Sequence, residues 1–102
     1  MKLKILARDV KLEESHTLFV DYEAYGLYMD NQNKIVVDSH VVGIMKADVL
    51  LHESLHVIQE QIRCFGDIDE DEEHKIIIPL TTALLQLLRD NKEYLMETIF
   101  FD

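Results

Sequence analysis

The spacing of apolar residues along the chain changes near residue 43, from a repeat of two to a repeat close to four. In the first part, "KLKILA" from Lys2 alternates lysine with leucine or isoleucine, which predicts a short strand with one wet face. "HTLFVDYEAYG" carries aromatic and β-branched residues but alternates imperfectly, and is read as strand or loop. "GLYMD" and "KIVVD" flank the Asn-rich "NQN", the pattern of a β-hairpin. From about Gly43, residues Ile44, Ala47, Leu51, Leu55, Ile58 and Ile62 follow a 3.6-residue repeat. They predict one helix with a continuous apolar stripe, ending near Cys64 with Gly66 just beyond. A second helical pattern, Ile77, Leu80, Leu84, Leu87 and Leu88, stops at Asp90-Asn91. Pro79 leaves its start open: the helix begins at Pro79 with "HKIII" extended, or it begins near Glu70 and kinks. "KEYLMETIFFD" reads as a short helix folding back. Its Phe100 and Phe101 would anchor the tail on the core or meet a second chain.

Composition narrows the picture without changing it. A chain of 102 residues with 48% hydrophobic residues can bury one modest core, so residues 1–102 are read as a single domain. With 20 acidic against 10 basic residues the net charge is −10, and the basic residues are scattered singly. Nucleic acid and anionic membrane surfaces are therefore not expected partners. The acid concentrates in "DIDEDEEH", Asp67 to His74, which self-repels and suits a solvated loop or helix entrance. Cys64 is the only cysteine, so there is no intrachain disulfide framework and a reducing compartment fits. The N-terminal apolar stretch is too short for a signal-peptide core, and no segment approaches the ~18 apolar residues of a membrane span. A cytoplasmic protein is expected.

Candidate chemistry lies within the first helical pattern, in "LLHESLHVIQE". Residues four apart on a helix share a face, so His52 and His56 can offer imidazole nitrogens to one metal ion. Glu53 is rotated by about 100° from His52, poorly aligned as a co-ligand but placed to reach a water at the metal's open position as general base. The two histidines sit about 110° round the helix from the centre of the apolar stripe, on a face shared with Met45, Val49 and Gln59. Buried imidazoles pointing one way need partners, and a metal ion is the reading preferred over histidines placed there by chance.

A catalytic zinc normally has three protein ligands and one open position, so a third ligand is required. The candidates run from Asp67 to His74, one loop and a turn or two downstream of the motif. His74 is the first choice, because its imidazole suits zinc and it borders the acidic run and the apolar helix; Glu73 and Glu70 are the alternates. Acids not used as ligands could orient the imidazole N–H groups. His16 is expected to be exposed, His40 to serve a turn or cap, and Cys64 to be a small buried hydrophobe. No G-x-S-x-G, P-loop or C-x-x-C occurs, which leaves serine-hydrolase, nucleotide and zinc-knuckle readings without support.

The hairpin "YGLYMDNQNKIVVDS", then "LLHESLH", then "EEHKIIIPLTTALLQLLRDN" resemble the small HExxH proteins of phages and other bacterial mobile elements. These are minimal zincins, akin to the ImmA/IrrE-type metallopeptidase group, and the likeness covers roughly residues 20–95. It implies an α+β fold in which a small twisted antiparallel sheet packs on the HExxH helix, with a second, antiparallel helix supplying the last zinc ligand. His52, Glu53 and His56 carry over directly. The third ligand does not, since relatives commonly show a glutamate near the start of the second helix, where several acids and His74 stand here. Pro79 is a further departure from the unbroken helix of relatives. The likeness also implies a peptide or protein substrate pairing with an edge strand near the metal helix, which makes "KIVVD" (Lys34, Ile35, Val36, Val37 and Asp38) the candidate binding edge.

The leading expectation is a zinc-dependent peptidase with Glu53 as base. A non-catalytic, zinc-stabilised binding module is the alternative, and a metal-free interaction protein, a homodimer through "YLMETIFF", is the third.

Overall fold

The computed structural model describes residues 1–100. The chain folds as α+β: β1 (Lys2–Ile5), β2 (Arg8–Ser15), α1 (Leu18–Tyr22), β3 (Gly26–Met29), β4 (Lys34–Asp38), α2 (Gly43–Ile62), α3 (Glu70–Asp90) and α4 (Lys92–Phe100). The four strands form one sheet in the order β1-β2-β4-β3.

The sheet is mixed rather than antiparallel. β1 and β2 form a hairpin turning at Leu6 and Ala7, and β3 pairs antiparallel with β4 from Gly26↔Val37 to Met29↔Lys34. β2 and β4 are parallel, from Lys11↔Lys34 to Ser15↔Asp38. The cause is α1, which carries the chain outward after β2 so that β3 forms at the margin and the following turn folds β4 back into the gap. A helix replaces the strand or loop expected at "HTLFVDYEAYG". Its first turn is tied across the fold, because the Asp38 carboxylate accepts from the Phe19 N–H at 3.0 Å while also accepting from His40 N–H at 2.9 Å.

This order corrects the assignment of Lys34, Ile35, Val36, Val37 and Asp38 as a binding edge. β4 is hydrogen-bonded on both sides and has no free edge. The run Ile-Val-Val is buried throughout, as a central strand covered on both faces should be. The free edge beside α2 belongs to β3.

β2 was not expected from the sequence. Only Val10 and Leu12 point its apolar face inward, while on the other face Glu13 pairs with Lys11 at 2.9 Å and with Lys34 across the sheet at 3.1 Å. The core lies between sheet and α2: Ile5, Val10, Ile35, Val37, Val41 and Val57 are buried, with Tyr28, Val49, Leu50 and Ile58 packed around them. Because α2 is wedged between the sheet and α3, a single stripe does not describe it. Ile44 and Ile62, at its two ends, remain exposed.

α2 stops at the left-handed Arg63 (φ 51°), whose N–H reaches Gln59 O at 2.8 Å, and Gly66 (φ 89°) turns the chain. The buried Gln59 amide holds that turn, accepting from Phe65 N–H at 2.9 Å and donating to Gly66 O at 2.8 Å. Asp69 then caps α3, its carboxylate accepting from Glu72 N–H at 2.8 Å. Of the two starts left open by Pro79, the chain takes the one near Glu70 and runs helically through the proline. Pro79 and Lys75, the residue whose carbonyl loses its i+4 donor, both face water, which can satisfy that carbonyl. α4 extends the chain with no buried residue, and Phe101 lies outside the described residues. No described helix is long and apolar enough to cross a membrane.

Candidate metal centre

α2 and α3 pack against each other along their lengths, and the connection of residues 63–69 sets the C-terminal half of α2 beside the first turns of α3. His52 and His56 project from one face of α2, and His74 meets them from the second turn of α3. One ring nitrogen from each lies within 4.8 Å of the other two. The Nε2 atoms of His52 and His56 are 3.2 Å apart. Two ligands of a tetrahedral zinc, each about 2.05 Å from the ion, stand roughly 3.3 Å apart, so this pair is already spaced for one cation.

The remaining ring nitrogens are oriented by their partners. His56 Nδ1 is bonded to the Glu73 carboxylate, which places the proton on Nδ1 and the lone pair on Nε2. His74 Nδ1 lies 3.0 Å from the Glu70 carbonyl, which can only accept, so His74 also presents Nε2. His52 is half-buried, and burial together with the neighbouring His56 and His74 pulls its pKa below the ordinary imidazole value. A neutral imidazole is the form that binds a metal. Hence the donor set fits zinc: three imidazoles from two helices, two of them with the tautomer fixed.

Among the third-ligand candidates the geometry therefore separates roles. His74 joins the cluster, Glu73 holds His56, and Glu70 contributes its backbone carbonyl rather than its carboxylate. His16 and His40 stand elsewhere: His16 Nδ1 is 3.4 Å from Ser39 Oγ, and His40 Nδ1 is 2.7 Å from the Asp38 carboxylate. Cys64 is exposed instead of buried.

Glu53 is 7% exposed and lines the same cleft, of about 450 Å³, as His56 and His74. Its Oε1 accepts from the Tyr28 N–H at 3.1 Å, and Oε2 has no partner among the described residues. Burial raises its pKa above the usual carboxylate value, opposed by His56 and by the Tyr28 N–H. A carboxylate so placed is a stronger base than one in water.

Gly26 was not singled out from the sequence for this arrangement, whereas Tyr28, with Tyr25, is a sequence candidate for the oxyanion-stabilising residue. Gly26 lets α2 approach β3: a Cβ there would lie 2.3 Å from Val49 Cγ1 and 3.2 Å from Glu53 Cγ. A glycine inside a strand pattern is the signal that could have marked it. Tyr28 offers its backbone N–H, and no sequence pattern shows which N–H faces a free edge. Its hydroxyl accepts from Arg8 Nη1 at 2.7 Å, and burial followed by the nearby Glu60 pushes its pKa up to about 12. Tyr25 stacks on Phe19, with ring centroids 4.6 Å apart, and does not line the cleft. Comparison with protein-family models, with curated proteins and with solved structures found no match to this chain.

Proposed function

We propose that the protein is a zinc-dependent peptidase of minimal zincin type, in which His52, His56 and His74 hold the ion and Glu53 is the general base. The observation that carries this reading is the convergence of three imidazoles beside a buried carboxylate, in a cleft bordered by an unpaired strand edge. Zinc, when bound, supplies Lewis acidity that makes a water easier to deprotonate and a carbonyl easier to attack.

The chain's own residues supply the rest. Glu53 takes the proton of the attacking water and returns it to the amide nitrogen as the C–N bond breaks, so it ends the cycle unprotonated. Tyr28 N–H fixes Oε1 and leaves Oε2 for this transfer. Glu73 keeps the His56 ring oriented and basic. Strand alternation, with Tyr25 O turned to Asp38 N–H and Tyr28 N–H turned away from β4, gives Gly26 and Tyr28 the outward backbone groups of β3; the Tyr28 N–H is held by Glu53, which leaves the Tyr28 carbonyl and the Gly26 N–H and carbonyl for a substrate. An extended peptide can pair there by strand addition.

The test is digestion of a mixed peptide library by the zinc-reconstituted protein. Hydrolysis is expected, with Glu53→Gln retaining zinc and losing cleavage by orders of magnitude. Zinc binding without hydrolysis of any peptide would reject the peptidase reading.

A second reading, a zinc-stabilised binding module, is favoured by one fact. Of the 21 residues of α3 only Ile77 and Thr81 are buried, so an ion joining it to α2 would contribute much of its anchorage.

A further inference from the structure

We infer that the cleft selects lysine- or arginine-containing peptides, by carboxylates placed on both sides of the strand edge that receives the substrate. The inference rests on the peptidase reading for what happens to the peptide, but the recognition it describes is a binding property of the cleft.

From the histidines the cleft runs toward the α2–α3 turn. Its walls there carry Asp30 after β3, Glu60 on α2 and Glu70 on α3, against the single guanidinium of Arg63. Internal pairing removes some of these charges. Arg63 is held by Asp67 at 3.3 Å, Glu60 by Arg8 at 3.1 Å, and Glu73 is committed to His56. Asp30 and Glu70 have no ion-pair partner among the described residues; the Asp30 carboxylate accepts only from its neighbour's N–H, Asn31, at 2.8 Å. Thus the end of the cleft toward the turn keeps two uncompensated carboxylates, one following β3 and one on α3, in a molecule of net charge −10.

The second observation is the placement of the edge between them. With the Tyr28 N–H held by Glu53, the Tyr28 carbonyl and the Gly26 N–H and carbonyl remain to align an extended chain along β3, and Asp30 follows that strand directly. A side chain of the bound peptide that reaches toward the turn then meets Asp30 and Glu70. A cation there gains attraction without displacing an existing partner, whereas an acidic side chain meets like charge.

The experiment measures binding apart from catalysis. Zinc-loaded Glu53→Gln protein is titrated into fluorescein-labelled ten-residue alanine-serine peptides carrying two lysines, two glutamates or neither, and anisotropy is read at 50 mM and 500 mM NaCl. The lysine peptide should bind about ten-fold more tightly than the neutral one at low salt, and within about two-fold of it at high salt. Adding Asp30→Asn and Glu70→Gln should remove most of that preference, while Asp21→Asn with Glu97→Gln, the same charge change outside the cleft, should leave it. Equal affinity for the three peptides, or a preference surviving Asp30→Asn with Glu70→Gln, overturns the inference. Digestion of the same peptides by the wild-type zinc protein separates the two proposals. Lysine-selective binding without any cleavage sinks the peptidase reading alone, and cleavage indifferent to charge sinks the selectivity alone.

Discussion

At the scale of single residues, the site sets two titrations against each other. Burial holds the Glu53 pKa above and the His52 pKa below their ordinary values, so in each the fold disfavours the charged form relative to the unfolded chain. For Glu53 the folded state binds the proton more tightly than the unfolded chain. Its destabilising effect is therefore absent below the ordinary glutamate range and grows as pH rises through its elevated value. His52 has the opposite sense: its folded pKa lies below the unfolded one, so stability falls as pH drops below the ordinary imidazole value. Metal-free Glu53→Gln should accordingly melt above the metal-free wild type at pH 7, with the difference gone by pH ~4. A variant melting at or below the wild type at pH 7 would show that the buried carboxylate is not under strain. Glu73 tests the orientation of His56. Glu73→Gln should weaken zinc affinity by about 10- to 100-fold in competition with a chelating dye, with the fold intact by circular dichroism, and an unchanged affinity would remove it from the site.

At the scale of elements, Gly26 couples the sheet to α2. A methyl group there meets Val49 Cγ1 at 2.3 Å, so Gly26→Ala must push α2 away from β3. The expected loss is about 1–3 kcal/mol in urea unfolding, with Val49→Ala in the same chain coupling favourably to it, since it empties the space the methyl needs. Additive losses would contradict this close approach. The elements also differ in how far the sequence revealed them. α2 was legible from Gly43 onward because its period, its length and the stop before Gly66 agree, although Val42 caps its start with no side-chain bond, and the His-Glu-x-x-His spacing placed the chemistry on it. The β3–β4 hairpin was legible from its Asn-rich turn. β2 was hidden because its charged outer face is stabilised across the sheet by Lys34, a partner 21 residues beyond Glu13. α1 is a single short turn held by Asp38, a tertiary tie that local propensity does not carry. The central position of β4 was written in its unbroken Ile-Val-Val run, which a hairpin reading alone takes for one half of an edge pair. For the third ligand the sequence offered His74, Glu73 and Glu70 together. Only the packing of α3 on α2 divides them into one imidazole facing its partners, one carboxylate behind a ring and one carbonyl.

At the scale of the whole molecule, the three histidines lie between α3 and the layer of α2 and sheet, where α3 itself has few buried residues. The sheet and α2 enclose the core, while α3 buries two residues and α4 none. Zinc bound between α2 and α3 should therefore raise the melting temperature in proportion to the logarithm of free zinc, and His74→Ala should abolish the increase without unfolding the metal-free chain. The increase should fade as pH drops to ~5, because protonated imidazoles cannot ligate. A zinc-dependent shift that persists in His74→Ala would place the ion elsewhere. The exposed Tyr94, Ile99 and Phe100 of α4 leave the expected homodimer contact as a proposal, tested by sedimentation velocity with Ile99→Glu.

The central claim is that His52, His56 and His74 share one zinc ion. X-ray absorption at the zinc edge, on protein reconstituted with one equivalent, measures this directly. Expected are three imidazole nitrogens at about 2.0–2.1 Å, with the outer-shell scattering of three rings and one further light ligand, a pattern lost in His74→Ala. A spectrum with one imidazole or none, or unchanged by His74→Ala, would contradict it.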